Sequence, residues 1–523
     1  MTDVSAAGSA GLKPGPTERS DRRPRWPFVA AGVLAAGTGL GLGHLVGALV
    51  NPAASPLAAV GSGVVDATPT PVKEWAVAAL GTADKPVLVV GIAVLTALVA
   101  GAAGALVPRR PGVAGGLLLG LAALATIAAV TRPAAVPADA LPGLVAGGVS
   151  LLTLRWLGTL AGQSARGVGR GGLLPRRSFL VASGATAAAG VTAGLLGHRL
   201  GTPAMPPSAL PAPARSLLAL PPGLERTVSG VSALQTPVEE FYRIDISLVV
   251  PRVDTDGWRL HVDGMVARPF SVSYDELRAI PLVAHDMTLT CVSNEIGGPY
   301  VGSARWLGVR VADLLRRAGP TPGADQVLST GVDGFTASTP LEVLLDGREA
   351  LVALGMNGAP LDRTHGAPAR LITPGVYGFV GATKWLIRLT VTTFAEQRAY
   401  WTQRGWAEQA PVKTATRIDT PRSGLSVSPG QIAVGGVAWA THRGVSAVQL
   451  RVDDGPWQRA RLGPDLGVDY WRQWYLPWQA APGDHRLTAR AIDGDGTVQP
   501  QEVQGVLPDG PTGWHEVQVR VGT

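Results

Sequence analysis

One cysteine stands in the whole chain of 523 residues. It is Cys291, in the stretch Thr288, Leu289, Thr290, Cys291, Val292, Ser293, Asn294. A single thiol forms no intramolecular disulfide and builds no Cys-rich zinc or iron–sulfur centre. Three roles stay open to it. It can act as a nucleophile, give one soft ligand to a metal held mainly by something else, or pack as a small inert hydrophobe. The sequence holds no Gly-rich nucleotide fingerprint, no His-Glu-x-x-His and no Cys-x-x-Cys, so several common enzyme chemistries lack their residues.

The segments that must position this thiol belong to a globular half. Trp258 to Val262 alternates as a strand does and ends at Asp263 and Gly264. Ser273 and Glu276 have capping-box spacing for a short helix. Val311, Leu314 and Leu315 are spaced for a helix that stops at Gly319 and Pro320. Mixed elements without a βαβ rhythm predict an α+β domain over 236–412. Beyond about 413 short alternating runs dominate, among them 447–452 and 517–521, with a turn signal at Asp454 and Gly455. This predicts an immunoglobulin-like β-sandwich over 413–523.

Residues 1–200 differ in kind. They hold 16 Lys+Arg against 7 Asp+Glu, and they contain five apolar runs, about 28–50, 87–107, 112–131, 141–162 and 179–198. Each is long enough, or nearly so, to cross a bilayer, which predicts an all-α transmembrane bundle. The basic charge flanks apolar runs, so it reads as membrane topology and excludes nucleic acid as the expected partner. Arg19, Arg22, Arg23 and Arg25 precede the first run. Arg109 and Arg110 follow the second, and Arg166, Arg170, Arg176 and Arg177 precede the fifth. By the positive-inside rule the N-terminus is cytoplasmic and everything after the fifth run is extracytoplasmic. Arg176, Arg177, Ser178, Phe179 and Leu180 also resemble a twin-arginine export signal, which carries proteins already folded; the alternative is ordinary topological punctuation. Ala204 offers a cleavage position, but retention as an anchor is expected. Residues 201–235 begin rich in Pro and Ala, as a stiff tether would. His44 and His198, near the outer ends of two runs, are able in principle to ligate a haem b between helices, but such residues are more often interfacial polar ones, which is the expected reading here.

Several stretches occur together and in order: Phe241, Tyr242, Arg243; Thr288 to Asn294; Ala304, Arg305, Trp306; Met356, Asn357, Gly358; His365 to Arg370; Thr383, Lys384, Trp385; and Trp471, Arg472, Gln473, Trp474. On these, residues 236–523 resemble the sulfite oxidase family of molybdenum-cofactor enzymes. The resemblance implies a molybdenum–molybdopterin cofactor with Cys291 as the protein's ligand to the metal. It implies that His365, Arg370 and Lys384 hold the pterin and its phosphate, that Asn294 fixes the loop around the ligand, and that Arg243 and Arg472 face the substrate. Asp333 is either a pterin contact or a turn residue. Trp406 stands where the family has a tyrosine, Ile296 where it has a third arginine, and Asp245 where it has a histidine. The implied activity is oxygen-atom transfer on a small, sulfur-containing substrate, with reduction of sulfoxides as the alternative direction. The implied partners are a separate electron carrier and a second copy of the chain, paired through the sandwich. A cofactor-free binding or scaffold protein is the reading from another class.

Overall fold

The computed structural model describes residues 25–80, 83–132, 135–167, 173–201, 209–214 and 217–522. Seven helices come first: α1 (Trp26–Val50), α2 (Pro56–Ala67), α3 (Thr70–Leu80), α4 (Asp84–Leu106), α5 (Pro111–Val130), α6 (Leu141–Gly167) and α7 (Leu173–Gly201). Five segments, Trp26–Val50, Asp84–Leu106, Pro111–Val130, Pro137–Ser164 and Arg177–Leu200, are long and apolar enough to cross a membrane. Most of the tether, Ala204 and the arginines before α1 lie outside the described residues.

Small residues let these helices touch backbone to backbone. A Cβ at Gly32 or Gly104 would run into the facing backbone of α4 or α1, and one at Gly41 would meet the Gly190 carbonyl of α7. The Thr38 hydroxyl donates across the same seam to the Thr186 carbonyl at 3.2 Å. α1 is thus the post around which α4, α6 and α7 pack. His44 sits on it, 2.9 Å from the Ser55 hydroxyl, and Gly197 of α7 lies directly against its ring. With the two helices in contact here, the haem b expectation gains no support from the packing.

The α+β part contains two five-stranded sheets. One comprises β3 (Val283–Thr290), β4 (Val301–Arg310), β7 (Leu351–Met356) and β8 (Ala359–Pro360), with β9 (Arg370–Ile372) also paired to β7. The other runs β2 (Phe270–Ser273), β1 (Arg259–Gly264), β10 (Leu386–Thr392), β5 (Gln326–Gly331), β6 (Thr336–Pro340). Leu260, Val262, Leu389 and Val391 from the second sheet and Val309, Val352 and Leu371 from the first share one core, closed by α9 (Val311–Ala318). The helix stops at Gly319, whose φ of 70° is left-handed. The Ser273–Glu276 box caps α8 (Tyr274–Ala279) in both directions. Two short helices, α10 (Leu341–Leu345) and α11 (Gly378–Gly381), complete the domain.

The C-terminal part is a two-sheet β-sandwich. One sheet is β11 (Ala415–Thr420), β13 (Gly430–Trp439), β17 (Arg472–Ala480), β16 (Arg461–Leu462). The other is β12 (Ser426–Val427), β19 (His515–Val521), β18 (Gly483–Asp493), β14 (Val445–Val452), β15 (Gln458–Arg459). Alternate residues such as Val517, Val519 and Val521 point inward and meet Val434, Trp474 and Leu476 of the facing sheet. The sandwich packs on the α+β part through Val376, Tyr377, Trp406, Trp439, Tyr470 and Trp471.

The helix seam predicts an asymmetry between glycines. Gly104→Ala should cost about 1–3 kcal/mol, the usual range for overpacking. Gly91→Ala, with nothing within 4 Å, should be neutral or slightly stabilising. Thermal unfolding of the two variants in detergent checks it.

Candidate active site

Cys291 follows directly on β3. Its amide donates to the Tyr300 carbonyl at 3.0 Å, and the Asn294 amide donates back to the Cys291 carbonyl at 3.1 Å. The side chain of Asn294, nearly fully buried, accepts from the Tyr300 amide at 2.7 Å. The loop from 291 to 300 is therefore closed on itself, and it presents the Cys291 sulfur to a cavity. The thiol is half-buried; burial pushes its pKa up, and hydrogen bonding to Ser293 opposes that shift. Without a metal such a thiol stays protonated; a coordinated metal ion would deprotonate it.

Cys291, Asp333, Arg370, Lys384 and Trp406 line one cavity, which also takes Tyr242 and Asp245 into its wall. Its remaining walls are largely aromatic: Phe335, Phe379, Trp385 and Trp401. Arg370 opens β9 and is buried. Its Nη1 donates to the His365 carbonyl at 3.0 Å and its guanidinium lies 5.1 Å from the Trp306 ring. Its Nε has no partner, and no salt bridge reaches it among the described residues. Burial pulls Arg370 down to about 10 and Lys384 down to about 8. Lys384 keeps one counterion, Asp245, at 3.1 Å. A buried guanidinium without a carboxylate is costly unless an anion joins it. The donor set therefore fits an anionic cofactor, and a single cysteine fits a metal whose other ligands come from that cofactor.

Asp333 is a turn residue at the edge of the cavity. It lines the cavity, and its Oδ1 accepts the Phe335 amide at 3.1 Å in the turn between β5 and β6. Burial, and then the charge of Asp245, push its carboxyl up to about 6. The Trp406 indole N–H is buried without a partner at the cavity wall.

Four expected residues stand elsewhere. His365 lies one layer behind the wall: its Nδ1 is 2.8 Å from Asp362 and its Nε2 is 3.4 Å from the Phe241 carbonyl. Its contact with the site is through Arg370. Asn294 works in the loop, as described. Arg243 turns to Asp245 at 3.1 Å with its side chain 40% exposed. Arg472, on β17, donates to Asp465 at 2.5 Å and to the Gly463 carbonyl at 3.1 Å. Neither arginine lines the cavity, so the expected pair over Cys291 is not formed: each guanidinium is taken by a nearby acceptor. Ile296 packs against Gly513 of the sandwich, outside the cavity. Sequence reasoning missed Tyr242, Phe335, Phe379 and Asp245 as wall residues. Tyr242 stands one residue before Arg243 and Asp245 two after it, so nearness to that motif was the available signal.

Residues 247–401 match the model of the oxidoreductase molybdopterin binding domain. Mitochondrial sulfite oxidase of Homo sapiens is 31% identical over 331 residues, which covers 52% of this chain and 59% of the human protein. Sulfite oxidase of Gallus gallus is 31% identical over 337 residues, covering 54% of this chain and 72% of that one. Among solved structures, the sulfane dehydrogenase SoxCD from Paracoccus pantotrophus aligns at a TM-score of 0.47 with 21% identity, over 52% of this chain and 76% of that one. The matched family model thus makes residues 247–401 a molybdopterin-binding oxidoreductase domain. The chain belongs to the sulfite oxidase family, although it spans only 59% of the length of the mammalian relatives it matches.

The raised Asp333 value has a definite sign. An acid whose folded value, about 6, exceeds its unfolded 3.8 imposes no penalty when protonated in both states. The penalty grows as pH rises from 3.8 and is complete above about 6, at roughly 2–3 kcal/mol. In cofactor-free protein, Asp333→Asn should abolish that part of the pH dependence while keeping the turn's acceptor. Denaturant titrations at pH 4 and pH 7 measure it.

Proposed function

We propose that this protein is a membrane-anchored, extracytoplasmic molybdenum-cofactor oxidoreductase that transfers an oxygen atom to or from a small sulfur-containing substrate. The observation that carries this is the convergence of the chain's one cysteine with a buried guanidinium that no carboxylate neutralises, in a single cavity. Family membership supports the cofactor. When bound, the molybdenum–pyranopterin centre supplies an exchangeable oxo group and a two-electron couple. Cys291 offers the soft donor such a metal takes from protein. Arg370 and Lys384 hold the anionic end, and Asp333, when protonated, adds a hydrogen-bond donor. The Trp406 N–H offers a donor to an oxygen atom at the metal or substrate. The aromatic walls exclude water, which strengthens each of these contacts.

The five apolar helices, the arginine distribution and the signal-like sequence in the first turns of α7 support the anchored, extracytoplasmic placement. On this reading the domains are 1–200 membrane, 201–235 tether, 236–412 catalytic and 413–523 an immunoglobulin-like module suited to dimerisation. Electrons pass to a separate carrier.

A second reading, reduction of sulfoxides, is favoured by one observation. The cavity wall is mainly aromatic, and Arg243 and Arg472 are absent from it, so it suits a neutral substrate better than a dianion such as sulfite. Steady-state assays with sulfite and with methionine sulfoxide separate the two.

Cys291→Ser should lower bound molybdenum by at least about tenfold, the low end for loss of a metal-site group, and abolish turnover. Metal analysis, pterin fluorescence and activity check it. Full metal content with full activity in the variant refutes the assignment.

A further inference from the structure

The apolar helices reach the catalytic cavity through the connection that leads from α1 to α4. At its end Lys85, in the opening turn of α4, uses all three donors of its ammonium on the segment that walls the cavity. Its Nζ lies 2.9 Å from Asp245 Oδ1, 2.9 Å from the Asp245 carbonyl and 2.8 Å from the Ser247 carbonyl. The other oxygen of Asp245 takes Lys384 and Arg243, each at 3.1 Å. The same connection seats Leu248 against Gly61 of α2. Its Asp66 accepts the Tyr400 hydroxyl at 2.7 Å and lies 3.7 Å from Arg404. This connection thus brings a cation to Asp245, one of the two carboxylates that line the cavity.

We infer that this connection forms a roof latched on the cofactor cleft, with Lys85 as a positioning residue that acts through Asp245, so that the helical domain controls how long the cofactor stays bound. An anchor alone needs no cation at a cavity wall. Lys85 holds Asp245 ionised and the wall segment in place, and Asp245 in turn sets the Lys384 ammonium. With Lys85 gone, Lys384 becomes the main partner of Asp245 and is less available to an anion, and the segment carrying Tyr242 loses three bonds. The substitution of the family's histidine by Asp245 then has a physical reason: only a carboxylate can bridge Lys85 and Lys384.

This inference rests on the cofactor reading above, and the test separates the two. Full-length protein in detergent, wild type and Lys85→Gln, is diluted into cofactor-free buffer, and molybdenum and pterin per polypeptide are followed in time. The expected result is release at least about tenfold faster from Lys85→Gln, in the range seen when groups behind a metal site are lost, with Lys85→Arg recovering most of the retention. If Lys85→Gln does not accumulate, Tyr400→Phe loosens the same roof at Asp66 and should also speed release. Release at the wild-type rate from folded Lys85→Gln, or from Tyr400→Phe where only that variant folds, overturns the roof. Wild-type protein that carries neither molybdenum nor pterin overturns the cofactor reading itself.

Discussion

Taking a carboxylate out of water costs several kcal/mol unless cations replace the water, and this structure does so with Asp245, whose side chain is 4% exposed. Burial pushes its pKa up, but Lys384, Lys85 and Arg243 together hold it well below the usual carboxylate range. The three cations come from three parts of the chain: a strand-end motif, the first turn of an apolar helix, and the wall segment itself. Losing any one leaves a buried charge less well matched. The cavity wall, the orientation of Lys384 and the seating of the helices on the catalytic part all depend on that one anion remaining charged.

The catalytic sheet is braced on its other side by the sandwich. The Trp471 amide donates to the Thr288 hydroxyl at 2.8 Å, and the Trp471 indole and Tyr470 hydroxyl both donate to the Leu234 carbonyl, at 2.8 and 3.0 Å. Thr288 is three residues before Cys291, so the strand that delivers the sulfur is tied to the module behind it. The family motif around Trp471 is accordingly a structural one here. Its tryptophan reaches the site's supporting strand, whereas the adjacent Arg472 faces Asp465.

Much of the fold was legible in local pattern. The capping box at Ser273, the stop at Gly319, the strand from 259 and the alternation in 517–521 are each dictated by contacts within a few residues, and the structure repeats them. Five of the expected site residues, Cys291, Asp333, Arg370, Lys384 and Trp406, converge on one cavity. The misses share a cause. A motif fixes where a residue sits along the chain, but side-chain direction depends on which acceptor is nearest in space; Asp465 takes Arg472, and Asp362 takes His365. Lys85 was hidden more deeply. It lies 160 residues from Asp245, at the start of an apolar helix where any cation reads as topology punctuation, and no periodicity links the two.

The latch between Lys85 and Asp245 also reads backbone shape. The three acceptors of the Lys85 ammonium, the Asp245 carboxylate and the Asp245 and Ser247 carbonyls, converge only when residues 245–247 hold this conformation. A chain misfolded there offers the ammonium fewer partners. One side chain at the start of an apolar helix thus gauges the shape of a segment 160 residues away.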